Sequence, residues 1–471
     1  MGIAFNSIVD PMIRVVSFVF VQFYSKFVNI MLWGFLGEDL AFDPCFDGAT
    51  LLPAFKRVGD ICLIPQLYLG GCAAVEARPR RWASGDPGVD DIISRMHSYR
   101  TDLGGFVDRE KEAREILEWG FGKPIRGGRI TVLYGPKGCG KSTFFRALST
   151  AIDQVDARLD VMVVRKPEEA TRVSFLHLPK SFRDLARDIA GHVAEGFKIS
   201  SAEPSIEFTS TPTYIAWKIA SYIAYIFEKG RDVLVVVDEV KADSKEHLSN
   251  FRQWLESFAN DIAEYNRKYS EKGGSIAVIA LTSDALVREI RHMVGDKVSW
   301  ALIWNLARVS SVELASQIGL QHRVAGELGV DAEKAMEILW RLAGGNPREL
   351  EQIWGGGLRK WIENKVIDGI QSFTQDLSKK MRNKALEEIS ASLDRVDDIG
   401  WAEPSIWKAM LRHNIIIYIA AADKISELPR EPWIGSRFAF QIPAYYYALK
   451  IATRKRSWDI SPEEVIREVV G

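Results

Sequence analysis

Short apolar runs and longer helical patterns divide the chain from about residue 100 onward. Continuous apolar runs are typical of strands buried on both faces of a parallel sheet, and they occur at 130–134, 161–164, 173–178, 233–237 and 275–281. An apolar segment of helical length lies at 214–227, and helical patterns follow at 312–318, 323–328 and 332–342. This order predicts an α/β fold with a mainly parallel sheet flanked by helices, followed by a helical region.

The region before residue 100 has a different pattern. Residues 12–37 are almost entirely apolar, with Arg14 and Lys26 as the charged positions. Their length suits one bilayer crossing, and a central lysine costs about 2.5–3.5 kcal/mol, which a dozen residues at about −0.3 to −0.6 kcal/mol each offset. Membrane insertion or surface anchoring is one interpretation of this segment. A buried helix or helical hairpin is another, and a cleaved signal peptide is the third.

Residues 38–100 mix short apolar patches with Pro, Gly and Arg and show no clear period, which predicts an extended connector. The alternative is that the protein starts at Met96, so that everything before it is a mis-assigned extension.

The C-terminal part alternates again between helix and strand. Residues 356–400 carry many charges and predict one or two amphipathic helices. From Ser405 the pattern predicts a helix, a strand at 415–419, a second strand at 438–442 and a helix from Pro443. This order is consistent with a winged-helix-like domain at 396–471. The basic run at 454–456 gives weak support for contact of this domain with double-stranded DNA.

Composition narrows the classes of protein. The 471 residues are 47% apolar and 26% charged, as in an ordinary folded protein, and the length predicts about two to four domains. The net charge of −1 excludes a globally basic nucleic-acid coat. The four cysteines form no C-x-x-C pair, so a zinc site is not expected, and a reducing cytoplasm is the expected compartment.

The most informative stretch is glycine-rich and follows the run at 130–134. It matches G-x-x-x-x-G-K-[ST] and leads into a helical pattern, which is the strand–loop–helix order of a phosphate-binding P-loop. In such a loop backbone N–H groups bind phosphate, Lys141 reaches the β- and γ-phosphates, and the Ser142 hydroxyl ligates Mg²⁺. The predicted nucleotide-binding residues are Gly135, Pro136, Lys137, Gly138, Cys139, Gly140, Lys141, Ser142 and Thr143. The motif predicts a P-loop NTPase fold.

Polar residues end the two apolar runs that follow the P-loop. Ligands of open α/β sheets bind at the carboxyl edge of the strands, and Asp238 and Glu239 stand at that edge. Asp238 is predicted to hold Mg²⁺ through water, and Glu239 to orient and deprotonate the attacking water. After the run at 275–281, Thr282 is a candidate for hydrogen bonding to the γ-phosphate or to that water, and it also suits the start of a helix.

A loop before the P-loop strand precedes another helical pattern. Asp108 is predicted to cap that helix. The loop itself, which includes Val107 and Arg109, is predicted to contact adenine through its backbone.

The run Gly344-Gly345-Asn346-Pro347-Arg348-Glu349 predicts a well-defined helix start. Asn346 is the expected cap, Pro347 the first helical residue, and Glu349 the partner that completes a capping box. Arg348 is thereby held in the first turn. A helix dipole disfavours a cation there, so an anionic ligand facing Arg348 would explain its position.

These elements together resemble the archaeal ATPase family, which belongs to the AAA+/STAND-like P-loop ATPases and is related to archaeal replication initiators. The matching segments are G-F-V-D-R-E at 105–110, the P-loop, 233–239, 282–283 and G-G-N-P-R at 344–348. The resemblance covers residues 101–355. It implies that Thr282 is a sensor-1 residue, that Arg348 is a sensor-2 arginine reaching the γ-phosphate, and that 301–355 form an α-helical lid.

The resemblance leaves two features unassigned. Arg288 and Arg291 are candidates for an arginine finger by position alone. The hydrophobic N-terminal extension departs from the usual pattern of the family.

The resulting expectation is a cytoplasmic ATPase that uses ATP and Mg²⁺ and acts as a molecular switch. Membrane contact through residues 12–37 and a homo-oligomer stay open. The expected regions are a hydrophobic segment, a connector, a P-loop ATPase core, a lid with linker helices and a winged-helix-like domain, at 1–37, 38–100, 101–300, 301–395 and 396–471. Two alternatives are a nucleotide-gated DNA-binding protein with slow regulatory hydrolysis and a membrane-tethered scaffold that binds ATP without turnover.

Overall fold

The structure is a computed structural model. It describes residues 87–121, 130–155, 159–165, 174–177, 197–199, 206–208, 232–238, 276–282, 298–393, 395–420, 423–424 and 426–471, with the single positions 263, 266, 287 and 291. All of these residues belong to one compact unit. The segments predicted at 12–37 and 214–227, the connector as far as residue 86, and Glu239 lie outside the described residues.

A nine-stranded sheet forms the centre of the part of the chain that the structure describes. Its first six strands are parallel and the last three join them antiparallel. In spatial order they are β12 (Asp423–Lys424), β10 (Val298–Leu302), β3 (Ile130–Tyr134), β9 (Ile276–Thr282), β8 (Asp232–Asp238), β4 (Leu159–Arg165), β5 (Ser174–His177), β7 (Ile206–Phe208) and β6 (Phe197–Ile199). A separate hairpin pairs β1 (Arg100–Thr101) with β2 (Gly104–Gly105).

Four of the five predicted strands are confirmed as parallel strands, namely β3, β4, β8 and β9. The strand predicted at 173–178 is present as β5, but it pairs antiparallel with β4 and β7. Every residue of β3 and β9 is buried, as expected for apolar, largely β-branched strands that are covered on both faces. Strand β10 was not predicted, because its sequence is short and runs directly into the helical pattern that follows Trp304.

A helix replaces the last part of the expected connector. Helix α1 (Pro87–Met96) buries Val89, Ile92, Ile93 and Met96, which follow the i, i+3, i+4, i+7 spacing of one helix face. This face joins the core cluster that also contains α3 (Lys141–Val155), while α2 (Glu110–Phe121) contributes Ala113 to the same cluster. The prediction of an extended connector as far as residue 100 is therefore wrong from residue 87 onward.

Helices dominate the chain after β10. The helical segments are α4 (Arg308–Gln317), α5 (Leu320–Leu328), α6 (Ala332–Ala343), α7 (Pro347–Gly356), α8 (Leu358–Trp361), a π-helical stretch (Ile362–Ile367), α9 (Asp368–Gln375), α10 (Lys379–Ser392), a 3₁₀ turn (Val396–Trp401), α11 (Pro404–Arg412), α12 (Pro443–Lys455) and α13 (Pro462–Val470). The predicted lid helices are among them.

One hydrophobic core joins the lid to the C-terminal helices. The same cluster of buried side chains contains Leu314 of α4, Leu350 of α7, Phe373 of α9, Leu449 of α12 and Val469 of α13. Side chains that share a close-packed core resist moving separately. The lid and the C-terminal helices are thus packed as one body.

The C-terminal elements have the predicted order of helix, strand, strand and helix. Strands β11 (Ile416–Tyr418) and β13 (Phe438–Phe440) pair antiparallel between α11 and α12. Strand β12 lies between them in the chain but belongs to the main sheet, where it pairs in parallel with β10. The winged-helix assignment stays a prediction. Within the described residues, no helix has both the length and the apolar character needed to cross a bilayer.

Candidate nucleotide-binding site

The glycine-rich loop connects the end of β3 at Tyr134 to the start of α3 at Lys141. Gly138 and Gly140 adopt φ angles of 88° and 95°, a region that favours glycine and lets the backbone curl. The Lys141 ammonium donates hydrogen bonds to the carbonyls of Gly135 and Pro136, at 2.9 and 3.1 Å. The loop therefore surrounds the lysine at the positive end of α3, the arrangement expected for a phosphate site.

The two residues predicted to hold Mg²⁺ lie side by side. Ser142, in the first turn of α3, donates a hydrogen bond from Oγ to Oδ1 of Asp238, the last residue of β8, at 3.0 Å. Asp238 is 3% exposed. Proteins hold Mg²⁺ in nucleotide sites through one or two side-chain oxygens, with phosphates and water completing the shell. A hydroxyl and a carboxylate beside a P-loop fit that requirement.

Thr282 lies at the same edge of the sheet. It is the last residue of β9 and pairs in parallel register with Tyr134, the residue before the P-loop. Because β9 separates β3 from β8, Thr282 stands between the P-loop and Asp238 along this edge. Glu239 and Arg288 lie outside the described residues, so their roles stay predictions, and Arg291 is exposed.

The first turn of α7 lies against the P-loop. The Arg348 N–H donates to the Gly138 carbonyl at 3.4 Å, and the Asn346 side chain donates to the Lys137 carbonyl at 3.0 Å. A Cβ placed on Gly138 would lie 2.6 Å from Arg348 Cβ, too close for any side chain. The sequence placed Arg348 in a first helical turn, and the structure brings that turn to the predicted loop.

One detail of this helix start differs from the prediction. Asn346 caps α7 as expected, since its side chain accepts the Glu349 N–H, with Pro347 in the first turn. Glu349 does not complete a capping box. Its carboxylate, which is 1% exposed, instead accepts from Trp361 Nε1 at 2.7 Å and pairs with Lys365 at 3.0 Å. A buried carboxylate needs strong partners, and the packed helices supply them.

Asp108 binds the lid rather than capping α2. It adopts a positive φ of 63°, and its carboxylate accepts from Ser310 Oγ at 2.7 Å and from the Arg109 N–H at 2.8 Å. Burial alone would raise the pKa of Asp108, but the hydrogen bonds from Ser310, Arg109 and the Ala307 N–H outweigh burial and lower it. The predicted capping role is therefore wrong, and Asp108 instead links this loop to the start of α4.

Arg109 is 2% exposed, and its side chain connects several segments of the chain around the site. Its guanidinium donates to the carbonyls of Cys139 and Trp304, at 2.8 and 2.7 Å, and to the Glu112 carboxylate at 2.8 Å. Val107 and Arg109 are predicted from the sequence to contact adenine through the backbone, and that role stays a prediction. No local pattern indicated the contacts of the Arg109 side chain with Cys139 and Trp304, because these residues lie in distant parts of the chain.

The sequence did not predict a second set of contacts, which the C-terminal segment makes with the site. The C-terminal segment, defined here as residues 423–424 and 426–442, approaches the P-loop through Gln441 and Arg109 through Ser426. Asn305, just after β10, donates from its side chain to the Gln441 carbonyl at 3.1 Å. Gln441 and the loop residue that it contacts are 304 positions apart, so no sequence motif could join them.

The basic run of α12 is partly neutralised within the molecule. Arg454 pairs with Glu468 at 2.8 Å, and Lys455 pairs with Glu464 at 2.8 Å, both from α13. Binding to DNA phosphates depends on accessible positive charge, and these two carboxylates compete with phosphate for the charges of Arg454 and Lys455. The basis for predicting DNA contact at this run is correspondingly weaker.

The fold is that of a P-loop NTPase. A family model described as an ATPase domain predominantly from Archaea matches residues 106–353, just over half of the chain. The chain belongs to this archaeal ATPase family, which confirms the resemblance found in the sequence.

Solved structures also match with low similarity, and two of them are described here. Drosophila ORC bound to DNA is 12% identical, with 72% of this chain and 81% of that chain covered and a TM-score of 0.29. The replication initiator DnaA bound to AMPPCP and single-stranded DNA is 12% identical, with 67% and 89% covered and a TM-score of 0.25. TM-scores this low support no conclusion about the function of the chain. No curated protein sequence matches the chain.

Proposed function

We propose that this ATPase binds ATP together with Mg²⁺, hydrolyses it, and acts as an AAA+-type molecular switch. The observation that carries the proposal is the 3.0 Å contact between Ser142 and Asp238 beside a complete P-loop. A serine hydroxyl and a strand-end carboxylate in contact at this place serve the metal–phosphate chemistry of P-loop ATPases.

Each residue has a defined task in this proposal. Lys141, which binds loop carbonyls in the structure, turns its ammonium to the β- and γ-phosphates when ATP is bound. Ser142 and Asp238 hold Mg²⁺, whose charge offsets the negative charge that develops on the phosphates. Glu239 follows Asp238 directly and takes the proton of the attacking water, while Thr282 orients that water or the γ-phosphate.

The switch depends on the lid. Arg348 lies in the turn that contacts Gly138, so its side chain starts within reach of a loop that holds phosphate. A guanidinium that binds the γ-phosphate of ATP but finds none in ADP gives the lid different affinities for the two states. Such a difference is what a nucleotide-driven conformational change requires.

The test compares nucleotide binding and ATP hydrolysis in the wild type, Lys141→Ala and Glu239→Gln. We expect Lys141→Ala to lose binding or turnover, because the principal cation of the site is gone. We expect Glu239→Gln to bind ATP with Mg²⁺ but to lose about 10²–10⁴-fold in rate, the usual contribution of a general base. Lys360→Ala in α8 and Glu351→Gln in α7 are matched controls at exposed positions and should resemble the wild type.

Three results would count against the proposal. A wild-type rate in Glu239→Gln would refute the assignment of the base. Full activity in Lys141→Ala would refute the site. ATP binding by the wild type without turnover would support the scaffold alternative instead.

A further inference from the structure

Gln441 holds the P-loop from the C-terminal side. Its Oε1 accepts the Lys137 N–H at 3.0 Å, and its Nε2 donates to Asn414 Oδ1 at 3.2 Å. Its backbone carbonyl accepts from Asn305, and its backbone N–H donates to Ile415 at 3.0 Å. The side chain is 3% exposed. Because Asn414 takes the amide nitrogen, the oxygen of Gln441 is directed at the loop.

The same loop residue is held on its other side by the lid. The Lys137 carbonyl accepts from Asn346 Nδ2 at 3.0 Å, and this amide also donates to Asn305 Oδ1 at 3.0 Å. Asn305, Asn346 and Gln441 are all buried. Buried amides with satisfied partners have one preferred arrangement. Gln441 holds the peptide before Lys137 and Asn346 holds the peptide after it, so the backbone conformation of Lys137 depends on the lid and the C-terminal segment together.

A second connection reaches the loop two residues further on. Arg109 donates to the Cys139 carbonyl at 2.8 Å and lies 3.4 Å from Ser426 Oγ. Ser426 in turn donates to Glu112 at 2.7 Å and accepts the Trp304 N–H at 2.9 Å. Strand β12, which ends two residues before Ser426, is paired to β10. The C-terminal segment thus supports the loop at residues 137 and 139 by independent contacts.

We propose that Gln441 is a positioning residue for nucleotide, and that the C-terminal segment must be docked on the P-loop for ATP to bind with full affinity. This proposal rests on the function proposed above. The loop binds phosphate with backbone N–H groups, and the φ and ψ angles of Lys137, whose two flanking peptides are held by Gln441 and Asn346, set the direction of the Gly138 N–H. Nucleotide and C-terminal segment therefore favour the same loop conformation, and each stabilises the binding of the other.

The experiment uses Gln441→Met in the full chain. Methionine keeps the length and the unbranched shape of glutamine but has no amide, so the core stays filled while the Lys137 and Asn414 hydrogen bonds are lost. The matched control is Gln352→Met at an exposed position of α7. Affinities for ADP and for a non-hydrolysable ATP analogue with Mg²⁺ are measured by calorimetry. Hydrogen exchange of the backbone amides at 436–445 is measured with and without each nucleotide.

We expect nucleotide to slow exchange at 436–445 in the wild type and in the control, and to have no such effect in Gln441→Met. The variant should also bind nucleotide about twofold to tenfold more weakly, the net contribution of one hydrogen bond. A residue with a merely structural role would lower stability and leave the nucleotide-dependent exchange in place.

Asn414→Gly provides a second variant if Gln441→Met does not fold. It removes the acceptor that orients the Gln441 amide, and glycine suits the positive φ of 54° at this position. We expect a smaller loss of affinity in the same direction. Wild-type affinity and a wild-type exchange response in a folded variant would overturn this proposal alone. Failure of the wild type to bind nucleotide would overturn the proposed function, and this proposal with it.

Discussion

Gly138→Ala tests whether the lid is seated on the P-loop as the structure has it. An alanine Cβ at this position would lie 2.6 Å from Arg348 Cβ and 2.8 Å from Asn346 Oδ1. These atoms belong to the first turn of α7 and to the residue that caps it, and the helix is held in place by the lid core. The overlap can be relieved only if the loop or the whole turn moves.

The expected cost has two parts. A residue with a Cβ at φ 88° costs about 1–2 kcal/mol relative to glycine. Overpacking against a well-ordered core costs about 1–3 kcal/mol more. Gly138→Ala should therefore destabilise the protein by about 2–5 kcal/mol in the absence of nucleotide.

Gly140→Ala separates the two parts. Gly140 has a φ of 95°, but a Cβ there would meet only Pro347 Cγ at 3.9 Å, an ordinary contact. We expect this variant to lose about 1–2 kcal/mol from the backbone term alone. Urea denaturation of the wild type and of both variants, without nucleotide and at matched protein concentration, measures the difference. Equal destabilisation by the two substitutions would refute the packing of the lid on residue 138.

Two further predictions concern the loop before the P-loop. Arg109→Lys keeps a positive charge near Glu112 but loses the planar guanidinium that binds two carbonyls. We expect urea denaturation to show a free energy of unfolding lower by about 2–4 kcal/mol. The control Arg114→Lys, at an exposed ion pair, should change the free energy of unfolding by less than about 0.5 kcal/mol. Burial alone would raise the pKa of Asp108, but its hydrogen bonds lower it below the usual value of an aspartate, so the ionised form stabilises the fold at neutral pH and this contribution is lost as the pH falls through the lowered pKa. The stability advantage of the wild type over Asp108→Asn should be constant near neutral pH and shrink between about pH 5 and pH 3, and an advantage that does not change with pH would contradict the assignment.

The sequence predicted the parts of the site that are local in the chain. The P-loop follows its strand and precedes its helix directly, and Asp238 and Thr282 each end an apolar run. Parallel strands bring their carboxyl ends to one edge, so the meeting of Ser142 with Asp238 follows from the topology alone. Helix α1 was missed although its apolar spacing is regular, because the Pro-, Gly- and Arg-rich residues before it obscure its start.

The contacts that sequence reasoning missed are between distant residues. Gln441 and Ser426 carry no motif, and β12 is only two residues long, too short for any periodicity to indicate it. Glu349 shows the opposite error. Its spacing from Asn346 satisfies the capping-box rule, but Trp361 and Lys365, which fold against it, bind the carboxylate instead. Local rules fail where tertiary packing offers a polar group stronger partners.

The glycines before Asn346 show that the lid and the C-terminal helices are matched to each other. A Cβ on Gly344, at the end of α6, would lie 2.5 Å from Pro443 Cδ at the start of α12. Gly344, in the glycine run that helps to identify the lid in the sequence, is therefore also required by the close approach of α12, about a hundred residues later in the chain. Since α6 and α12 share one hydrophobic core, the lid is not free to rotate on its own. Any movement that draws Arg348 to or from the P-loop must carry the C-terminal helices with it, and with them Gln441.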